Sequence, residues 1–224
     1  MRLAVIVPAL DEEAVIGETL GALAALRRLG HRVVLADGGS RDRTPDIARE
    51  LADHVIVAPR GRARQMNAGA AVAEGDVLLF LHADTRLPET AAADVLAGLG
   101  TSGRRWGLFD VRLSGAHPLL RVVERTMNLR SRLTGIATGD QALFVERELF
   151  VATGGFPDIP LMEDVALSKR LKRGGPPLCL RSRVITSSRR WEERGVLRTI
   201  GLMWGLRAAY ALGVPPDRLA RLYR

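Results

Sequence analysis

A single cysteine, Cys179, occurs in 224 residues. A lone thiol excludes an intramolecular disulfide framework and a cysteine-rich zinc site. It lies in the apolar run 177–180, where a buried thiol is expected rather than a catalytic one. No uninterrupted apolar stretch reaches the ~18 residues that a membrane-spanning helix requires. No secretory signal is legible, because the short apolar run after Arg2 is ended by Pro8 and Asp11-Glu12-Glu13. A cytoplasmic protein is therefore expected, either soluble or attached peripherally at the inner face of a membrane. Internal repeats and low-complexity linkers are absent as well. So are several phosphate-binding loops. No Gly-x-Gly-x-x-Gly follows the first apolar run, which counts against a nicotinamide or flavin enzyme. No Gly-x-x-x-x-Gly-Lys-Ser/Thr is present, which counts against P-loop chemistry. A glycine-rich loop bearing arginine or lysine, as a nucleotidyltransferase of related architecture would need, is also missing.

What is present points to an ordinary globular domain. Hydrophobic residues make up 47% of the chain, enough for a substantial core. The net charge of +8 comes from 33 basic against 25 acidic residues. Most of the basic residues are arginine, which suits bidentate contact with phosphate or carboxylate. A basic surface could face nucleic acid, an anionic membrane or a phosphorylated substrate, and composition does not separate the three. Arginine richness can also reflect genomic base composition.

Strands and helices alternate over the first 85 residues. Apolar runs at 3–7, 32–36, 54–58 and 77–81 read as strands. Helices are expected from a cap at Asp11 to about residue 29, from Thr44-Pro45 to about residue 52, and from the basic loop 60–64 to about residue 73. Such alternation predicts an α/β fold with a mostly parallel, Rossmann-like central sheet covered by helices. The second half is less regular. Helices are expected over 88–99, 117–132, 165–173 and 194–212, and strands over 106–113, 142–145, 177–180 and 183–187. The last helix carries Gly201-x-x-x-Gly205, which permits close helix approach. Packing against its own domain or a partner subunit in a homo-oligomer is expected, with a membrane surface as the alternative.

In parallel sheets ligands sit at the carboxyl ends of the strands. Four strand-end clusters fall there: 8–12, 37–40, 60–67 and 82–84. A phosphate-bound divalent cation uses one or two protein carboxylates, and Asp84 could supply one. Asp84-Thr85 could equally cap a helix starting after Pro88. Asp37 is placed to accept from a base N–H or a ribose hydroxyl. Glu163-Asp164 could be ordinary N-terminal helix charge.

The ordered set VIVPALDEE, ADGGSRDRT, NAGA, GDVLLFLHADT, GGFP and MEDVALSKRL resembles the family 2 glycosyltransferases of the GT-A fold. The likeness runs from Leu3 to about residue 173, with a further piece at Ser188-Arg189-Arg190-Trp191. The HADT and RRW forms resemble those of small bacterial members. The resemblance implies one GT-A domain over 1–224: a nucleotide-binding half at 1–85, an acceptor half at 86–190 and a helical C-terminal extension at 191–224. It implies an inverting transfer of one sugar from a nucleotide-diphosphate sugar, with Mn2+ or Mg2+. The acceptor would be a small molecule, a lipid-linked group or a glycan; nucleic acid is not an expected partner. Asp164 would be the catalytic base. Pro8, Leu10, Glu12, Asp37, Arg64, Asn67 and Arg190 would bind the donor. Asp84, with His82, would hold the metal. Asp140, Glu163 and Trp191 would face the acceptor. Three departures from the family pattern stand out. Gly38 replaces the second acid of Asp-Asp-Gly-Ser, His82 replaces the first acid of Asp-x-Asp, and Ser187 replaces the Gln of Gln-x-x-Arg-Trp. The last argues against a processive polymerase. The alternatives are a nucleotide-sugar-binding protein without catalysis, and a basic protein that binds membrane or nucleic acid surfaces.

Overall fold

The computed structural model describes residues 1–223 of the chain. The first half runs β1 (Leu3–Ala9), α1 (Glu13–Ala22), α2 (Ala24–Arg28), β2 (Arg32–Asp37), α3 (Thr44–Leu51), β3 (His54–Val57), α4 (Arg62–Val72) and β4 (Val77–Phe80). The second half runs β5 (Thr85–Arg86), α5 (Ala91–Ser102), β6 (Trp106–Leu113), α6 (Pro118–Thr134), a 3-10 turn at Gly139–Gln141, β7 (Phe144–Glu146) and α7 (Arg147–Ala152). It ends with α8 (Glu163–Leu171), β8 (Leu178–Thr186), α9 (Arg189–Arg194), α10 (Val196–Ala211) and α11 (Pro216–Tyr223).

All eight strands form one sheet in the order β3-β2-β1-β4-β7-β6-β8-β5. From β3 to β4 every neighbour is parallel, with Val5 opposite both Val33 and Leu79. Beyond β4 the sheet is mixed. β7 is antiparallel to both β4 and β6, β6 is parallel to β8, and β5 is antiparallel to β8. Side chains alternate across the strands. On β1, Leu3, Val5 and Val7 pack with Ile16, Leu20, Ala48 and Val95 on one face. Ala4 and Ile6 pack with Met66 and Ala70 of α4 on the other. A Cβ added at Gly69 would stand 2.5 Å from Ile6 Cγ2. The small residues of α4 thus let that helix settle directly on β1.

Several expectations shift, each for a local reason. Asp11 does not cap α1. Its backbone is left-handed (φ 54°) and its carboxylate accepts from Arg41 N–H at 2.7 Å. The first N–H groups of α1 are satisfied from the loop after β2 instead: Glu13 N–H donates to Asp42 and Glu12 N–H to Thr44 Oγ1. Asp84-Thr85 does not cap α5, because Thr85 enters β5 and bonds Thr186 across to β8. The two strand candidates at 177–187 form the single strand β8. The helix expected over 194–212 is α10, which starts at Val196 after Gly195 (φ 83°), and the short α9 before it was not expected. α7 was not expected at all. Gly201 and Gly205 would meet nothing within 4 Å if given a Cβ, so they do not mediate close helix packing.

Candidate functional site

One cavity of about 800 Å³ opens at the carboxyl ends of β1 and β4. It takes Pro8, Leu10 and Glu12 from the end of β1, and His82 and Asp84 from the end of β4. Arg60 and Arg62 come from the start of α4, Thr138 to Asp140 from the 3-10 turn, and Glu163 and Asp164 from the start of α8. Ser187, Arg189, Arg190 and Trp191 come from β8 and α9, and α6 and α10 supply the remaining wall.

The loops behind this rim are tied together by their own hydrogen bonds. Asp37, 3% exposed, accepts from Gly39 N–H, Ser40 N–H and Ser40 Oγ. Ser40 Oγ in turn accepts from Asp11 N–H at 2.9 Å. Gln65 donates its amide to Ala9 O at 2.7 Å and Ala36 O at 2.9 Å, fixing α4 against the ends of β1 and β2. A Cβ at position 38 would stand 3.0 Å from that amide, which accounts for glycine there.

Asp164 sits at the first turn of α8. Its Oδ2 accepts from Gly139 N–H at 2.8 Å and its Oδ1 from Val165 N–H at 2.7 Å. Burial, then the charge of Glu163, raises its pKa to about 6, against the lowering effect of Arg62 and these two N–H donors. A carboxyl poised near neutrality is suited to take a proton. Glu163 is buried and paired with Arg62 Nε at 3.2 Å. Burial alone would favour neutral Arg62, but Glu163, Asp164, Asp140 and Asp84 together raise its pKa.

His82 faces the same turn. Its Nδ1 lies 3.5 Å from Asp140 Oδ1, and its ring lies so close to Gly139 that a Cβ there would approach Cε1 and Nε2 at 2.4 Å. Burial tends to raise the Asp140 pKa, but His82, Arg62 and Arg190 outweigh it and hold the carboxyl below its usual range. Glu12 is raised, first by burial and then by the negative charge of Asp84. Two carboxylates thus share the wall between β1 and β4.

Ten of the sequence-assigned residues line the cavity: Pro8, Leu10, Glu12, His82, Asp84, Asp140, Glu163, Asp164, Arg190 and Trp191. Asp37, Arg64 and Asn67 stand outside it. Asp37 is committed to its loop, as above. Arg64 points to the surface and pairs with Asp158 at 2.8 Å. Asn67 holds the 154–157 turn through Phe156 O at 2.8 Å and Phe156 N–H at 3.0 Å. Arg62 takes the place in the cavity that the basic loop offered to Arg64. Two residues along a helix turn a side chain about 200°, and α4 starts at Arg62 itself. Arg130, on α6, is a cavity residue that no motif marked. Its Nε is buried without a hydrogen-bond partner.

The chain's likenesses follow this geometry. The profile of Glycosyl transferase family 2 matches residues 4–112. Probable glycosyltransferase YdaM of Bacillus subtilis (strain 168) is 25% identical over 244 residues, covering 95% of this chain and 55% of YdaM. The structure of S. aureus TarS 1-349 superposes with a TM-score of 0.70 at 20% identity, over 84% of this chain and 61% of that one. The mannosyltransferase PcManGT from Pyrobaculum calidifontis, in complex with GDP-Man and Mn2+, superposes with a TM-score of 0.67 at 21% identity, over 99% of this chain and 68% of that one.

Proposed function

We propose that the chain, whose residues 4–112 match the Glycosyl transferase family 2 profile and whose fold is GT-A, is a glycosyltransferase of that family that transfers one sugar from a nucleotide-diphosphate sugar to an acceptor hydroxyl with inversion. The observation that carries this is the meeting of three groups in one cavity: the buried-in Asp164 carboxyl, the Arg62 and Arg190 guanidinia, and the Asp84 carboxylate at the end of β4. The reaction is a single displacement. The acceptor oxygen forms a bond to the anomeric carbon, and the bond from that carbon to the diphosphate oxygen breaks. The bonding electrons leave with the nucleoside diphosphate, and the acceptor proton passes to Asp164. No second carboxylate is required as a nucleophile.

The residues present fit a divalent cation bound with the donor. Among the described residues no group of three or more His, Cys, Asp and Glu converges on a metal position. A cation bound through diphosphate needs only one or two protein carboxylates. Asp84 lines the cavity, where its Oδ1 accepts from Thr85 Oγ1 at 3.5 Å, and Glu12 is near enough to feel its charge. Asp84 would hold Mn2+ or Mg2+, with Glu12 beside it. The cation would supply positive charge to the departing diphosphate.

The chain's own groups do the rest. Pro8, Leu10 and Glu12 form the side of the cavity where the nucleotide would lie. Arg190 and Arg62 would stabilise the diphosphate, a task suited to guanidinium forks. Arg190 is held over the Tyr223 ring at 4.5 Å. His82 acts as a positioning residue rather than a metal ligand, because its ring is engaged by Asp140 and Gly139. The Gly139 N–H fixes the direction in which Asp164 presents its free lone pairs. Trp191 and Asp140 face the acceptor side.

Calorimetric titration with UDP, GDP and their common sugar conjugates, with and without Mn2+, tests the donor assignment. Metal-dependent binding of one nucleotide, lost in Asp84→Ala, is the expected outcome. Absence of binding to all of them, in protein shown to be folded, would remove the donor site and with it the transferase reading.

A further inference from the structure

The floor of the cavity is charged, and its far wall on α6 and α10 is mostly apolar, with Arg130 and Arg207 its charged members. Val122, Val123 and Met127 line it from α6, and Ile200, Met203 and Trp204 line it from α10. Val123, Met127 and Ile200 belong to one packed cluster, so the two helices meet there. Val122 and Trp204 are also 52% and 69% exposed. The apolar wall therefore runs out to the surface and forms a lip.

The lip continues along both helices. Leu129 lies seven residues after Val122, and Leu197 seven before Trp204, so each pair shares a helix face. Leu129 and Leu197 are 58% and 72% exposed. Between Leu197 and Trp204 on that face lie half-buried Ile200 and Gly201, where an added Cβ would meet nothing within 4 Å. Exposed Arg125, Arg189 and Arg198 flank the patch, against Glu193. An exposed apolar patch around a cavity mouth marks an interaction site. An apolar helix face with tryptophan and basic flanks suits the plane of an anionic bilayer surface. At 16 residues α10 is too short to cross one, and among the described residues no helix is long and apolar enough to do so.

Inside the lip, the wall leads to Arg130 and Asp164 in the same cavity. The buried, unpartnered Nε of Arg130 is a donor without an acceptor. An apolar chain lying along α6 and α10 would bring a polar head to that donor and a hydroxyl to Asp164.

Resting on the transfer reading above, we propose that the acceptor is an amphiphile presented by an anionic membrane, and that the α6–α10 lip is the surface that docks there. The tail lies along the Val122–Trp204 wall. The head reaches Arg130, and its hydroxyl reaches Asp164. The net charge of +8 then has a physical partner in the anionic headgroups.

Flotation with phosphatidylcholine vesicles, with and without phosphatidylglycerol, tests this on the full chain. The variants are the double substitution Leu129→Glu with Leu197→Glu, on the lip but outside the cavity lining, and Val57→Glu as a control on the exposed edge strand β3. Nucleotide affinity is measured on each. The expected result is binding to the phosphatidylglycerol vesicles, weakened by salt. It should fall about tenfold or more in the lip variant and stay unchanged in the control. Nucleotide affinity should be the same in all three. Three results overturn the proposal while leaving the donor site intact. One is no vesicle binding by wild-type protein that binds nucleotide. Another is vesicle binding that the lip variant retains. The third is a solution dimer broken by the lip variant with no vesicle binding, which would give the apolar face to a second copy. If folded protein binds no nucleotide, the transfer reading fails, and the acceptor assignment fails with it.

Discussion

The two halves of the sheet build their share of the site differently. From β1 to β4 the strands are parallel, and the functional side chains stand where the strands end: Pro8, Glu12, His82 and Asp84. Beyond β4 the sheet is mixed, and the site is built from a 3-10 turn, helix starts and helix faces: Asp140, Asp164, Arg130 and Trp204. The first half gives a fixed rim whose geometry follows from strand register. In the proposed reaction the second half gives the groups that would meet the acceptor, together with Arg190 for the diphosphate, and their positions depend on tertiary packing. Donor binding should therefore respond chiefly to changes in the first half and at Arg190, and catalysis and acceptor choice to other changes in the second.

The largest expected effect separates these two roles. Asp164→Asn should lower turnover by roughly 10²- to 10⁴-fold, the usual worth of a positioned general base. Nucleotide affinity should be retained. Turnover can be followed as donor consumption, with an amphiphilic alcohol or, more slowly, water as acceptor. Loss of nucleotide binding in the same variant would merge the two halves into one function and remove the contrast.

Next in size is a paired test within the basic loop. Arg62→Ala should weaken donor binding about tenfold or more, since it removes a guanidinium from the cavity and leaves Glu163 buried without its partner. Arg64→Ala should leave donor binding unchanged and alter stability by less than ~1 kcal/mol, because its pair with Asp158 is exposed. The reverse pattern would mean that the start of α4 is rotated from the position described.

Two glycines sharpen the comparison further. A Cβ at Gly69 would press on Ile6 at 2.5 Å, and one at Gly139 on the His82 ring at 2.4 Å. Overpacking of this kind costs ~1–3 kcal/mol. Gly69→Ala should lower thermal stability with turnover per folded molecule unchanged. Gly139→Ala should also lower kcat, because the turn it displaces carries the N–H that orients Asp164. Equal effects on kcat would deny His82 and Gly139 their positioning role.

The smallest effect is set by proton linkage. Folding raises the Asp164 pKa from 3.8 to about 6. The folded state then holds this proton more tightly than the unfolded chain, so the group's contribution to stability falls as pH rises between those values. Asp164→Asn removes that loss. It should be more stable than wild type by on the order of 1 kcal/mol near neutral pH, with the difference vanishing below about pH 4. Wild-type kcat should rise with pH through about 6 and then level off, as the base becomes ionised.

The same contrast explains what could be read in the sequence. The alternation of apolar runs located β1 to β4 and the rim at their ends, because buried parallel strands leave a strong local signal. Strand β6 was equally legible from its alternation. Asp164 was legible through its motif, and its setting against Gly139 was not, because that contact spans 25 residues of chain. Arg130 sits in an ordinary amphipathic helix, and only the packing of α6 over the cavity gives it a role. Arg62 was hidden by helix phase: a shift of two residues exchanges the cavity for the surface. Asp37 was read as a ligand group from its strand-end position, yet its loop consumes both carboxylate oxygens.

The central claim is that one cavity holds the donor on the β1–β4 rim and the base at the start of α8. A crystal structure with Mn2+ and whichever of UDP or GDP binds more tightly tests it most directly. The expected result is a diphosphate between Asp84 and Arg190, with the space before Asp164 open towards Trp204. A nucleotide bound outside this cavity, or one whose diphosphate touches neither Asp84 nor Arg190, would contradict the account.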